Sequence, residues 1–224
     1  MVRFNVSQCA AFTSQSKEIN MKQMQYTTRQ GLVRDLKAEF SRKAIHILIA
    51  LVPFLSAIDR SHTALLLMVG TLIYATAESM RFLGVPLPLI SPITESVLRN
   101  REQGHYAFAP VTLGLGALLA LILFPTQAAA AAIYALAFGD SAGSLAGKFL
   151  GRHRPRFLSG KSIEGSLACF TVSALTGYLV YHDWKTALAI GAASMIVDSL
   201  PLREFDNIVY PLAVGLAAVV MCKL

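Results

Sequence analysis

Phe138-Gly-Asp-Ser-Ala-Gly-Ser-Leu-Ala-Gly-Lys148 closes an apolar run that starts at Thr126 and holds no charged side chain before Asp140. A run of this length reads as a membrane-crossing helix, for which roughly 20 apolar residues suffice. Asp140 inside it has to be paired or functional, since a charge in hydrocarbon is expensive to keep. The chain leaves this run through Arg152-His-Arg-Pro-Arg156 and Gly160-Lys-Ser-Ile-Glu-Gly-Ser166. One carboxylate, several glycines and five cations (Lys148, Arg152, Arg154, Arg156, Lys161) are thus set between two hydrocarbon stretches. Glycine lets backbone approach a ligand, cations neutralise phosphate, and a carboxylate can hold Mg²⁺. The segment reads as a nucleotide or pyrophosphate site at the cytoplasmic face of a membrane protein; the plain alternative is a basic loop that only orients helices.

The rest of the composition agrees. Of 224 residues, 54% are apolar and 15% charged, with a mean hydropathy of +0.54, whereas soluble domains carry about 25% charged residues. Further apolar runs predict spans near 43–59, 62–80, 106–124, 126–149, 165–182, 185–200 and 207–222, separated by Asp59-Arg60, Gly84-Val-Pro-Leu-Pro88, Phe124-Pro125, His182-Asp-Trp184 and Pro201. The fold class expected is therefore all-α, a polytopic transmembrane bundle of about seven spans. With the N-terminus inside, 17 of the 20 Lys and Arg fall on the inner side and only Arg60, Lys185 and Lys223 outside. That asymmetry predicts an N-in, C-out topology, and it explains the net charge of +7 without any nucleic-acid partner. Residues 1–40 read as a polar leader without a signal-like apolar core, in which 27–40 has the spacing of an interfacial helix; residues 41–224 form the membrane-embedded domain. Cys9, Cys169 and Cys222 lack disulfide or metal spacing.

Several constellations are candidates for chemistry. Arg42, Lys43 and His46 share a helix side at i, i+3 and i, i+4 spacing and read as a phosphate or lipid entrance, or as an interfacial anchor. Glu78 and Arg81 pair with each other or with the site. Asp198 and Asp206 flank a short turn and, with Asp140, would give Mg²⁺ its few carboxylates; Asp206-Asn207 reads equally well as a helix N-cap. Gly139, Gly143 and Gly147 lie on one helical stripe and serve close packing or nucleotide contact. Arg99-Asn-Arg101-Glu-Gln-Gly-His105 is another phosphate contact or a solvated loop. A P-loop is excluded because Pro155 stands where its first glycine belongs, and no Rossmann, zincin or nucleophile-elbow pattern is present.

The order of Ser41-Arg-Lys-Ala-Ile-His46, Glu78-Ser-Met-Arg81, Gly139-Asp-Ser-Ala-Gly143, Gly147-Lys-Phe-Leu-Gly-Arg152, Gly160-Lys-Ser-Ile-Glu-Gly-Ser166 and Asp206-Asn-Ile-Val-Tyr-Pro211 resembles the CTP-dependent lipid-alcohol kinases: dolichol, phytol and farnesol kinases and yeast-type diacylglycerol kinase. The central stretch is also similar to phosphatidate cytidylyltransferases, which usually show a Ser-Pro-Lys-Lys-Thr-type sequence where this chain has Ser159-Gly-Lys-Ser-Ile. Asp198 stands where the kinase pattern has Glu. The resemblance implies transfer of the γ-phosphoryl of CTP to a membrane lipid alcohol. It implies Mg²⁺ on Asp140, Asp206 and Asp198, and triphosphate on Lys148, Arg152, Lys161, Ser162 and Ser166, approached through Gly139, Gly143 and Gly165. Asp140, Lys161, Glu164 and His46 would be catalytic, and Arg42, Lys43, Glu78 and Arg81 would line the entrance. A homodimer is compatible with this reading. The alternatives are a CTP:phosphatidate cytidylyltransferase and, from another class, a small transporter.

Overall fold

The computed structural model describes residues 36–85, 87–88, 90–97, 105–155, 158 and 160–223. Among these residues the secondary structure is helical and contains no strand. The helices are α1 (Leu36–Ile58), α2 (Arg60–Phe82), α3 (Ile90–Val97), α4 (Phe108–Leu123), α5 (Thr126–Phe149), α6 (Ile163–Tyr181), α7 (Trp184–Ser199) and α8 (Asp206–Lys223). Five of them, α1, α2, α5, α6 and α8, are long and apolar enough to cross a membrane, which makes this an integral membrane protein. The apolar α4 and α7 have 16 residues each, about 24 Å of helix.

Local sequence explains the breaks. Pro53 lacks the N–H that would bond the Ile49 carbonyl, and α1 tightens there into turns in which Ala50 N donates to Ile47 O and Val52 N to Ile49 O, both at 3.0 Å. Side-chain caps start three helices: Asp59 accepts from His62 N at 2.9 Å, Ser162 from Gly165 N at 3.1 Å and Asp183 from Thr186 N at 2.7 Å. These caps satisfy amides with no partner inside the helix. The same donors, together with the His62 ring and the Thr186 hydroxyl, hold the Asp59 and Asp183 carboxyls below the usual carboxylate range. His182, at φ 54°, ends α6 in the left-handed conformation. Pro211 leaves the Asn207 carbonyl without its helical donor. Gly116 of α4 lies against that carbonyl so closely that a Cβ would collide with it.

The buried axis is α5. Residues 128, 129, 131, 132, 133, 135 and 137 are at most 1% exposed, and all but Ile133 are alanine. Small side chains let α6, α8, α4 and α1 close around them. The peripheral α1 and α2 instead turn Phe54, Ile58, Leu66 and Leu72 outward, as lipid-facing surfaces do.

The helices match the seven apolar runs with shifted ends. α1 begins seven residues before the run expected at 43–59, because the polar turns from Leu36 continue the same helix. The segment 81–105, expected as a loop, contains α3, which packs on α2 through a 3.2 Å contact between the Tyr74 and Thr94 hydroxyls. Residues 27–35 of the expected interfacial helix, Arg99, Arg101 and Arg156 lie outside the described residues.

Glu78, completely buried, ties α2 to the start of α4. It accepts from Arg81 at 2.5 and 2.7 Å and from Ala107 N at 2.7 Å, while Arg81 donates to His105 O at 3.1 Å. The two residues thus pair with each other. Glu78→Ala removes the acceptor for both groups and is expected to cost about 3–5 kcal/mol, read as a large drop in detergent melting temperature. A drop no larger than that of the exposed Glu95→Ala would show that this pair does not hold α4.

Candidate functional site

Helix geometry places the charges in one layer. The junctions α1–α2, α4–α5 and α6–α7 and the end of α8 share one face, and Arg60 confirms part of this by donating to the Leu121 carbonyl and, at 2.6 Å, to the Phe124 carbonyl. At 1.5 Å per residue, Asp140 lies about 20 Å along α5 from that face, Asp198 about 21 Å along α7, Lys43 about 22 Å along α1 and Glu78 about 27 Å along α2. The candidate residues therefore gather towards the opposite face.

At the centre stands Asp140. A π-helical segment, Ala135–Asp140, interrupts α5 and ends on it; such widenings recur at functional sites. From α1, Lys43 donates to Asp140 Oδ2, and His46 Nδ1 lies 3.2 Å from the same oxygen. Lys43 and His46 are each 5% exposed at the side chain and Asp140 14%. The i, i+3 spacing of the α1 pair thus puts both on one carboxylate, which offsets its desolvation. Asp198 and Asp206 are within electrostatic range of Asp140. Asp198 accepts from Lys161 at 2.5 Å, and Lys161 remains 41% exposed. Asp206 accepts from Asn207 N at 2.8 Å, while the Asn207 amide donates to Ala109 O and Thr112 Oγ1.

Other candidates have structural partners. Lys148 donates to the buried Glu39 at 3.0 Å, joining the end of α5 to α1. Glu164 accepts from the backbone N–H of His153 at 3.2 Å and lies 2.8 Å from its ring, so it organises the basic loop rather than the Asp140 cluster. Arg154 donates to the carbonyls of Gly147 and Gly160 at 2.8 Å each, closing the same loop. Arg152 is exposed. Ser162 is the α6 cap, and Ser166 is buried.

The glycines serve packing. A Cβ on Gly143 would lie 2.9 Å from the Cys169 Cβ, and one on Gly165 2.7 Å from the Gly143 carbonyl. One on Gly139 would collide with Ser173 Oγ and lie 2.8 Å from the Tyr210 hydroxyl. Helices approach closely at all three positions: α6 and α8 at Gly139, α6 at Gly143 and α5 at Gly165. Sequence reasoning missed Glu39, placed in a polar leader, and the buried Cys169, Ser173 and Tyr210 group, whose hydroxyl contacts are 3.2 Å. The i, i+3 spacing of Glu39 and Arg42 was the available signal for the first.

Beside the cluster, a cleft lies between α1 and the start of α4. Arg42 and His46 form one wall and Phe108 and Pro110 the other, with Glu204 at the connection before α8. His46 therefore touches both the cleft and Asp140. Lys43, expected at the entrance with Arg42, faces Asp140 instead.

No protein-family profile matches the chain, and no solved structure matches it. An uncharacterized protein of Methanocaldococcus jannaschii is 28% identical over 130 residues, 58% of this chain and 65% of that protein. The match thus spans less than two thirds of the relative's length.

Asp140→Asn removes the charge that faces Lys43 and is expected to lower thermal stability, because a buried ammonium loses its counter-ion. Lys43→Met combined with Asp140→Asn should recover most of that loss. A double variant no more stable than Asp140→Asn alone would show that the two charges are not coupled.

Proposed function

We propose that this chain moves the γ-phosphoryl of CTP to the hydroxyl of a membrane lipid alcohol at the cytoplasmic face. The observation that carries the reading is the buried Asp140 held by Lys43 and His46, with Lys161–Asp198 in the same charged layer and a basic loop between α5 and α6. Phosphoryl transfer depends on positioning and charge neutralisation more than on covalent help, and this layer supplies both signs of charge beside hydrocarbon. CTP as donor, rather than another nucleotide, follows from the motif resemblance. All seven apolar helices crossing, with the N-terminus inside, would put the basic loop, the Asp198–Asp206 turn and the cleft on one side.

Among the described residues no three His, Cys, Asp or Glu converge as a ready metal cage. The donor set suits a Mg²⁺ that arrives with phosphate oxygens and keeps its own waters. Asp140, Asp206 and Asp198 would hold it, and it would neutralise charge on the transferring phosphoryl. Lys161, 41% exposed and paired with Asp198, is the cation proposed to meet the triphosphate. Lys148 and Arg152 contribute charge from the loop side. Lys43 orients Asp140, and Glu78 with Arg81 shapes the wall of the cleft. A CTP:phosphatidate cytidylyltransferase would use the same layer but release pyrophosphate. A transporter would set its charges nearer the membrane middle.

Purified protein given γ-labelled CTP and a panel of lipid alcohols should place label in lipid. Label in pyrophosphate alone would move the assignment to the cytidylyltransferase, and no label in either would end the enzymatic reading. Lys161→Ala should weaken nucleotide binding by about 10- to 150-fold, the range of one charge-assisted phosphate contact; an unchanged affinity would remove Lys161 from the nucleotide site. For orientation, single cysteines at Glu204 and Lys185 should differ in intact cells, with Lys185→Cys labelled from outside and Glu204→Cys protected. The reverse pattern would overturn the topology.

A further inference from the structure

The cleft between α1 and α4 has an apolar part and a polar end. Ile45, Phe108, Pro110 and Leu113 form the first; Arg42, His46 and Glu204 the second. Phe108 is 4.6 Å from Tyr106 between ring centres, and Tyr106 is 6.4 Å from Phe82, an aromatic rim of the kind found at headgroup depth. An amphipathic lining of this kind suits an amphipathic ligand.

Arg42 shows what the polar end lacks. Its Nε and Nη1 are buried and have no hydrogen-bond partner among the described residues. The Glu39 carboxylate is 3.7 Å from Nη1, too far for a hydrogen bond, and Lys148 donates to it. Buried donors without an acceptor are unfavourable, and the same side chain lines the cleft. The surrounding charge decides which kind of acceptor suits it. Among the described side chains, Glu204 is the carboxylate that lines this cleft together with Arg42. A phosphate dianion would meet the Glu204 carboxylate at close range. A hydroxyl would accept from Arg42 and donate to Glu204 without adding any charge.

We propose that this cleft is the acceptor seat and is built for a neutral, hydroxyl-headed lipid and against its phosphorylated form. The identity of the ligand rests on the lipid-alcohol reading above. Arg42 holds the hydroxyl oxygen, the apolar wall takes the first part of the chain, and Glu204 repels the monophosphate once formed, which favours its departure into the bilayer. A cytidylyltransferase would need the opposite preference.

The test is equilibrium binding of tritiated geranylgeraniol and dioleoylglycerol, each beside its monophosphate, to the full chain at fixed detergent. At least one alcohol should bind more tightly than its monophosphate. Arg42→Gln should weaken that alcohol by about 10- to 150-fold, Ala109→Leu, which fills the cleft from α4, should weaken both members of the pair, and Glu204→Gln should narrow the gap between them. Melting curves identify any variant that fails to fold; Ala109→Leu and Glu204→Gln test the cleft without altering Arg42. Monophosphates binding as tightly as both alcohols, or alcohol binding unchanged in folded Ala109→Leu, would overturn the proposal. Label transfer from CTP with unaltered alcohol binding in the variants would sink this seat and leave the kinase standing; selective binding without transfer would do the reverse.

Discussion

An ionised carboxylate inside a helical bundle needs a counter-charge, because low dielectric makes an isolated charge too unfavourable to keep. Asp140 meets that requirement with Lys43 and His46, and much of the architecture follows. The pairing fixes α1 against α5 at one depth. It also draws the other charged groups into range, with Lys161–Asp198 on the neighbouring helices and Lys148–Glu39 at the end of α5. The result is a thin charged stratum under a hydrocarbon body, where the chemistry proposed for a polar ligand and the access proposed for an apolar one would meet.

The two halves of this arrangement have different supports. The charged stratum depends on ion pairs made across long stretches of chain. The hydrocarbon body depends on small residues, with Gly143 and Gly165 in backbone contact and Gly116 under the Asn207 carbonyl. The stripe Gly139, Gly143 and Gly147 therefore brings α6 close enough for Lys161, just before its first turn, to reach Asp198 of α7. Packing and site geometry are thus one problem: the glycines set the positions of residues proposed to meet the ligand.

Hydropathy made the helices legible, since each apolar run became one. Helical spacing also made the α1 cluster legible: Arg42, Lys43 and His46 were readable as one side. Their partner was not, because Lys43 and Asp140 are 97 positions apart and nothing local links them. Glu39 escaped notice for the same reason, its lysine being 109 residues away. α3 was hidden because Gly84-Val-Pro-Leu-Pro88 marked its segment as a connection, although Pro92 is tolerated in a first helical turn. The glycine stripe was ambiguous in sequence because close approach of backbone to a ligand and to another helix demand the same absence of Cβ.

The alanine run of α5 has a consequence for how this chain can vary over generations. Residues such as Ala129, Ala131, Ala132 and Ala137 have no exposure at all, and the only smaller replacement is glycine, which weakens a helix. Nearly every other substitution adds volume where neighbours already touch, so drift is closed along this helix. The outward Leu66, Leu72 and Phe54 of the periphery are exposed and can exchange among apolar types freely. Divergence should therefore be layered, with a nearly frozen axis and a permissive rim, and a distant relative is best recognised by its smallest residues rather than by its most hydrophobic ones.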